Sequence, residues 1–178
     1  MSQVSTVSQD SSGRILKSYT TKHKILTVEW LDMELAARRS AGQRIVMTNG
    51  CFDLLHPGHV ASLEQARAQG DCLVVGLNSD ASVRKLKGPD RPIVDEHGRS
   101  TMLAALQCVD YVVLFDDTSV LGLVERILPD VLVKSAQYTL DEVVGREVVE
   151  ATGGRVELTP MTGGYSTTRL LERIQAAM

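Results

Sequence analysis

The stretch at residues 45–59 constrains the fold of this chain most strongly, because it carries three local signals in order. Residues 45–47 are apolar and partly β-branched, which is typical of a buried strand. Residues 48–50 read Thr-Asn-Gly and indicate a turn. A helical spacing of apolar residues then begins, with Pro57 suited to its first turn and Gly70 ending it. The stretch therefore predicts a buried strand, a tight loop and a helix.

Two histidines stand at the start of this predicted helix. His56 and His59 are three residues apart, so both imidazoles project to the same side of the first turn. A helix N-terminus presents unpaired N–H groups and the positive end of a dipole, and Gly58 lets a ligand approach the backbone closely. Each imidazole can also donate a hydrogen bond. The pattern predicts a phosphate-binding site rather than two surface histidines at a chance spacing.

The composition excludes several classes of protein. The 178 residues suffice for one domain with a sizeable core, and 43% of them are hydrophobic. A net charge of −3 and an aromatic content of 4% argue against nucleic-acid binding. No apolar run has the length of a membrane-spanning helix, and the first residues lack a secretory-signal pattern. We therefore expect a cytoplasmic protein with no nucleic-acid or membrane partner.

The three cysteines are predicted to be reduced residues of the core. Cys51, Cys72 and Cys108 are far apart, odd in number and flanked by apolar residues. This pattern fits neither a disulfide framework nor a zinc site. Cys51 stands beside the proposed phosphate site, where a buried structural role is the simpler interpretation.

Strands and helices alternate along the chain. Strands are predicted at 45–50, 71–78, 111–115, 131–134 and 155–159. Helices are predicted at 27–40, 57–69, 82–87, 99–108, 119–128, 140–151 and 167–176. This alternation predicts an α/β fold of the Rossmann-like, doubly wound type, with a mostly parallel five-stranded sheet in a single domain. Residues 1–22 are predicted to be a flexible N-terminal tail, and residues 23–178 the domain.

A second anion site is predicted near the C-terminus. Residues 163–168 read Gly-Gly-Tyr-Ser-Thr-Thr and precede a helix, which Ser166 or Thr167 can cap. Two glycines before three hydroxyl groups also leave the helix start open to an anion. Arg169 adds a positive charge. Beside the histidine pair, this segment indicates phosphate contact in addition to capping.

Positive residues follow the second predicted strand. Lys85, Lys87 and Arg91 surround Gly88, and their position near a strand end favours contact with an anionic substrate over a solvated loop. Arg99 begins a predicted helix, where its charge opposes the helix dipole. An anionic partner for Arg99 is therefore expected.

The residues quoted above resemble a known family. The segment Thr-Asn-Gly-Cys-Phe-Asp-Leu-Leu-His-Pro-Gly-His at 48–59 resembles the His-x-Gly-His signature of the nucleotidyltransferase superfamily, in its cytidylyltransferase-like branch. Over 24–174 the chain is similar to D-glycero-β-D-manno-heptose 1-phosphate adenylyltransferases, the adenylyltransferase domain of ADP-heptose synthases. The other matching segments are 77–92, 103–110, 129–134 and 164–168. The resemblance implies transfer of AMP from ATP to a sugar 1-phosphate, giving an ADP-sugar and pyrophosphate.

The resemblance also implies roles for individual residues. The expected catalytic residues are His56, His59 and Lys87, which would stabilise charge on the phosphates. The expected nucleotide-binding residues are Cys51, Phe52, Asp53, Gly58, Gly164, Tyr165, Ser166, Thr167 and Thr168. The expected substrate-binding residues are Lys85, Arg91, Arg99, Lys134 and Gln137. Mg²⁺ is expected to bind with ATP, through its phosphates.

The resemblance also implies partners, and the sequence differs from the usual family pattern in one segment. It implies a homodimer, and a separate sugar kinase that supplies the sugar phosphate, because the chain resembles one half of a bifunctional enzyme. The family usually reads Lys-Gly-Gly-Asp-Tyr where residues 134–138 read Lys-Ser-Ala-Gln-Tyr. Side-chain atoms replace two glycines and an amide replaces a carboxylate, so we expect a changed acceptor pocket.

Three alternative functions remain open from the sequence. Cytidylyl transfer to an alcohol phosphate such as glycerol 3-phosphate would use the same phosphate-binding groups. A nucleotide-binding regulator would keep both phosphate motifs and lose turnover through the change at 135–137. A fragment of a class I tRNA synthetase would share His-x-Gly-His, but the chain lacks a Lys-Met-Ser-Lys-Ser loop and a basic surface.

Overall fold

A computed structural model describes residues 6–9, 15–18, 20–160 and 164–178. The strands are Thr6–Gln9 (β1), Ile15–Ser18 (β2), Ile25–Leu26 (β3), Ile45–Gly50 (β4), Cys72–Asn78 (β5), Tyr111–Phe115 (β6), Val131–Ser135 (β7) and Arg155–Thr159 (β8). The α-helices are Val28–Ser40 (α1), Pro57–Arg67 (α2), Asp80–Lys87 (α3), Glu96–Ala105 (α4), Leu121–Ile127 (α5), Arg146–Ala151 (α6) and Thr167–Ala176 (α7). Two 3₁₀ turns lie at Lys22–Lys24 and Leu140–Glu142.

A six-stranded parallel sheet forms the centre of the domain, in the order β3-β6-β5-β4-β7-β8. From β4 the chain adds β5 and β6 on one side, and then crosses to β7 and β8 on the other. The strand order therefore reverses beside β4. Ligands of such sheets bind at this reversal, beyond the carboxyl ends of the strands.

Each face of the sheet packs against its own layer of helices. Successive residues of a strand point to opposite faces, so Ile45 and Met47 join one apolar cluster while Val46 joins the other. Leu31 and Leu35 of α1 belong to the first cluster. Leu63 and Ala66 of α2 belong to the second. All seven residues of β5 are buried, as expected for a central strand covered on both faces.

The five predicted strands are all present, and the fold class is confirmed. The prediction of a five-stranded sheet is wrong by one edge strand, because β3 has only two residues and gives no pattern. Helix α4 begins at Glu96 rather than at residue 99, since the side chain of Asp95 caps it by accepting from the Gly98 N–H. The helix predicted at 140–151 is interrupted, because Gly145 has a φ of +93° just before α6.

The first described strands lie outside this sheet. β1 and β2 pair with each other in an antiparallel ribbon. The flexible tail over residues 1–22 stays a prediction, since residues 1–5, 10–14 and 19 are outside the described residues. No helix in the described part of the chain combines the length and apolarity needed to cross a membrane.

Candidate active site

A cleft of about 660 Å³ opens at the carboxyl ends of β4, β5, β7 and β8. It brings together most of the residues predicted from the sequence. The predicted residues that line it are Cys51, Phe52, Asp53, His56, Gly58, His59, Lys87, Arg91, Lys134, Gln137, Tyr165, Ser166, Thr167 and Thr168. The sheet reversal therefore places the histidine loop, the start of α7 and the end of β7 around one space.

The two histidines form a stacked pair at the start of α2. His56 is the N-cap, and its Nδ1 accepts a hydrogen bond of 3.2 Å from the backbone N–H of His59. The two rings lie 3.7 Å apart at an angle of 15°. A neutral imidazole that accepts at Nδ1 carries its proton on Nε2. His56 is thus held in the tautomer whose Nε2–H can donate to a ligand.

The backbone at this helix start is closely packed. A Cβ at Gly58 would lie 3.1 Å from the ring of His56 and 3.4 Å from Cβ of Tyr165. The ring of Phe52 lies 5.3 Å from that of His59, which closes the other side of the pair. Glycine at position 58 therefore lets the start of α2 approach the segment before α7.

Both imidazoles are neutral in the free protein at neutral pH. Burial and the neighbouring His56 together lower the pKa of His59 to about 4, and Asp53 opposes part of this shift. Burial also lowers the pKa of His56. A neutral imidazole can still donate from one nitrogen, and a bound phosphate would favour the protonated form. The pair is therefore suited to respond to negative charge on a ligand.

We expect the folded protein to lose stability as the pH falls from about 6.5 to about 4. The unfolded chain protonates His59 near pH 6.5 and the folded chain only near pH 4, so the unfolded state binds more protons in this window. Thermal unfolding across this pH range measures the effect. His59→Gln should reduce the decline, whereas His97→Gln, at an exposed position, should not. Equal declines in all three proteins would contradict the assignment.

Asp53 joins two walls of the cleft. It is only 2% exposed, and its carboxylate accepts from Nε of Arg91 at 2.6 Å and from the N–H groups of Ile93 and Val94. Its carbonyl oxygen accepts from Oγ1 of Thr167 at 2.7 Å. Burial raises the pKa of Asp53, but these bonds outweigh it and lower the pKa overall. Asp53 thus ties the loop before α4 and the start of α7 to the histidine loop.

The hydroxyl groups of Thr167 and Thr168 at the start of α7 are expected to contribute differently to stability. Thr167→Val should lower the free energy of unfolding by about 1 kcal/mol, because it removes the bond to the Asp53 carbonyl. Thr167→Ser keeps the hydroxyl and should lose less. Thr168→Val should leave stability unchanged, since the Thr168 hydroxyl bonds to no described residue. Urea unfolding measures all three, and an undiminished stability of Thr167→Val would contradict the assigned contact.

Two predicted substrate residues do not line the cleft. Arg99 is 0% exposed and lies in the second turn of α4. Its guanidinium donates to Asp80 Oδ1 at 2.7 Å, to the Cys51 carbonyl at 2.6 Å and to the Val94 carbonyl at 3.0 Å. The anionic partner expected for Arg99 is therefore Asp80 and not a substrate. Lys85 is exposed on α3 away from the cleft wall.

The remaining predicted residues lie at or next to helix ends, and Gly164 is not among the residues that line the cleft. Lys87 is an exposed residue of the cleft at the end of α3. Ser166 caps α7 by accepting from the Arg169 N–H at 3.2 Å. Gly164 precedes this cap with a φ of +91°, a conformation that favours glycine. All three cysteines are free thiols, and burial raises the pKa of Cys51.

Two asparagines of the cleft were not singled out from the sequence. Asn49 lies near the end of β4 and accepts from Nζ of Lys134. Asn78 ends β5, is 3% exposed and donates to Oγ of Ser82 at 2.9 Å. Both asparagines could have been identified from the sequence as polar residues at the end of an apolar strand, because the carboxyl ends of parallel strands meet at the edge of the sheet where ligands bind.

Residues 47–173 match the model of the cytidylyltransferase-like family. The chain belongs to this family. It is 54% identical over 154 residues to the bifunctional protein HldE of Geobacter sulfurreducens, which covers 86% of this chain and 31% of the relative. It is 48% identical over 171 residues to HldE of Mesorhizobium japonicum, and this match covers 94% of this chain and 34% of that relative. The chain spans about a third of the length of these curated relatives.

Two solved structures share the fold of this chain. The lipopolysaccharide core biosynthesis protein of Thermoplasma volcanium is 28% identical, with a TM-score of 0.56 over 70% of this chain and 99% of that chain. Pantoate–β-alanine ligase of Francisella tularensis is 13% identical, with a TM-score of 0.54 over 79% of this chain and 67% of that chain. At this identity the likeness shows a shared fold alone. The expected nucleotidyltransferase family and its parallel α/β fold are confirmed.

Proposed function

We propose that this domain transfers AMP from ATP to D-glycero-β-D-manno-heptose 1-phosphate, giving an ADP-sugar and pyrophosphate. The observation that carries the proposal is the stacked pair of His56 and His59 at the start of α2, within the cleft. The similarity to HldE proteins supports a heptose phosphate as the acceptor. The similar T. volcanium protein takes its name from lipopolysaccharide core biosynthesis, which is compatible with a sugar-containing product.

The reaction requires the protein to position the two substrates and to stabilise charge on the phosphates. A phosphate monoester has a second pKa of about 6, so the acceptor is largely dianionic at pH 7 and attacks without a general base. The imidazole donors of His56 and His59 stabilise charge that develops on the α–β bridge of ATP as pyrophosphate leaves. The N-termini of α2 and α7 and the ammonium group of Lys87 bind the triphosphate.

Mg²⁺ is part of this proposal. When bound, Mg²⁺ would be held mainly by the phosphate oxygens of ATP and would supply neutralisation of part of the triphosphate charge. The buried carboxylate of Asp53 is already engaged by Arg91 and two backbone N–H groups. Asp53 therefore supports the walls of the site, and the phosphates of ATP would supply most of the magnesium ligands.

Partners are proposed from the chemistry of the acceptor. A sugar kinase is one class of enzyme that makes a sugar 1-phosphate, and the resemblance to one half of a bifunctional enzyme supports a sugar kinase acting before this domain. The homodimer and the cytoplasmic location expected from the sequence stay predictions, because the described residues test neither.

Pyrophosphate release with paired substrates tests the proposed function. The purified protein is given Mg²⁺ with ATP or CTP, each combined with heptose 1-phosphate, hexose 1-phosphates or glycerol 3-phosphate. We expect release to be fastest with ATP and the heptose phosphate. Release only with CTP and glycerol 3-phosphate would replace the proposal with the cytidylyl reaction. ATP binding without release from any pair would favour a nucleotide-binding regulator.

A further inference from the structure

The buried amide of Asn78 has an orientation that its neighbours determine. Asn78 ends β5, is 3% exposed and lines the cleft. Its Nδ2 lies 2.9 Å from Oγ of Ser82, and that hydroxyl lies 2.8 Å from the carbonyl oxygen of Asp117. A carbonyl oxygen only accepts, so Ser82 donates its one proton to Asp117 and accepts from Asn78. The amide nitrogen of Asn78 therefore faces Ser82, and the amide oxygen points away from it.

The amide oxygen of Asn78 lacks a strong donor among the described residues. It contacts Sγ of Cys51 at 4.0 Å. A thiol is a weak donor, and burial raises the pKa of Cys51, so the thiol stays neutral at neutral pH. A buried acceptor without a good donor costs free energy, which an N–H or O–H group of a ligand would offset. Asn78 and Cys51 both line the cleft, so a ligand there can supply that group.

The amide oxygen suits the nucleoside part of a nucleotide better than its phosphates. The imidazoles of His56 and His59 and the ammonium group of Lys87 are donors, which pair with phosphate oxygens. Phosphate oxygens are themselves acceptors and would repel the oxygen of Asn78. A nucleoside carries donors that fit, namely the hydroxyl groups of ribose and, in adenosine, an amino group on the base. Cys51 belongs to the same loop as His56, so this oxygen lies beside the proposed triphosphate site.

We propose that Asn78 is a specificity-determining residue whose amide oxygen accepts a hydrogen bond from an amino or hydroxyl group of the ATP nucleoside. Ser82 is then a positioning residue, since its bond to the Asp117 carbonyl fixes the direction of the amide. The inference rests on the proposed function for the identity of the nucleotide. It adds a contact that recognises the nucleoside to the groups that bind the phosphates.

Calorimetric titration with Mg²⁺-ATP and three analogues tests this contact without turnover. Each analogue lacks one donor: the adenine amino group, the ribose 2′-hydroxyl or the ribose 3′-hydroxyl. We expect the wild-type protein to bind one of them about tenfold more weakly than ATP, which is the effect of one hydrogen bond. Asn78→Leu has a similar volume but no acceptor, so it should bind ATP about tenfold more weakly than wild type and bind that analogue as tightly as ATP.

A variant of Ser82 separates orientation of the amide from packing. Ser82→Ala frees the amide to turn, so it should reduce the difference in affinity between ATP and the analogue. A merely structural loss would weaken both ligands equally. Ser100→Ala is the matched control, because Ser100 is also buried, at 2% exposure, and lies on α4 outside the cleft. It should leave both affinities unchanged.

The remaining outcomes separate this contact from the proposed function. Analogues that all bind wild type as tightly as ATP, or an undiminished preference for ATP in Asn78→Leu, would overturn the contact. A raised KM for the sugar phosphate with unchanged ATP affinity would assign Asn78 to the acceptor and overturn the nucleoside assignment. The expected affinities without pyrophosphate release would contradict the proposed function alone. Should circular dichroism show Asn78→Leu unfolded, Asn78→Ala replaces it in each titration.

Discussion

Replacing His59 by alanine should lower kcat for pyrophosphate release by about 10²- to 10³-fold, which is the usual loss when one donor to a developing negative charge is removed. The His59 ring stacks on the His56 ring at 3.7 Å, so the variant also removes this contact from His56. The Michaelis constant for ATP should change far less than kcat, because the imidazole acts mainly as charge develops.

The control for this experiment is His97→Ala. His97 is an exposed histidine of α4 and does not line the cleft, so its loss should leave kcat unchanged. Circular dichroism of both variants checks that the fold is retained. A His59→Ala protein that is folded and keeps more than about a tenth of wild-type kcat would contradict a role in the transition state.

Replacing Arg99 by methionine should lower the free energy of unfolding by about 3–5 kcal/mol, as expected when one partner of a buried ion pair is removed. The guanidinium bonds Asp80 and the carbonyl oxygens of Cys51 and Val94, so one side chain holds three segments. Methionine has a similar length but leaves those oxygens without a donor. Because Cys51 belongs to the histidine loop, turnover should fall as well.

Chemical denaturation in urea measures the Arg99 effect, with Arg84→Met as the matched control. Arg84 is exposed on α3, so the same substitution there should change stability by no more than about 0.5 kcal/mol. A loss below about 1 kcal/mol in Arg99→Met would show that water or another group replaces the guanidinium. In that case Arg99 would not support the loop.

The strands and the two helix starts of the site were predictable because their signals are local. Residues 111–115 and 155–159 become β6 and β8 with the predicted bounds, since apolar, β-branched runs stand between clear breaks. His56 and Ser166 both take N-cap positions at the predicted helix starts. Alternating strands and helices then determined the edge at which ligands bind.

Contacts between distant segments could not be predicted in the same way. Arg99 looked available for an anion, but its partner Asp80 is 19 positions away and meets it only in the folded chain. The bond from Thr167 to the Asp53 carbonyl joins residues 114 positions apart. No spacing rule in the sequence predicts either contact. The structure therefore places Arg99 outside the cleft, and it shows that Thr167, predicted as a phosphate ligand, also makes a structural hydrogen bond.

The most direct test of the proposed function is the product formed from Mg²⁺-ATP and D-glycero-β-D-manno-heptose 1-phosphate. Phosphorus NMR follows the ADP-sugar and pyrophosphate together in one reaction. The proposed function predicts that both form in equal amounts, and that His59→Ala slows both equally. Release of inorganic phosphate from ATP without an ADP-sugar, or no reaction by the folded wild-type protein, would contradict it.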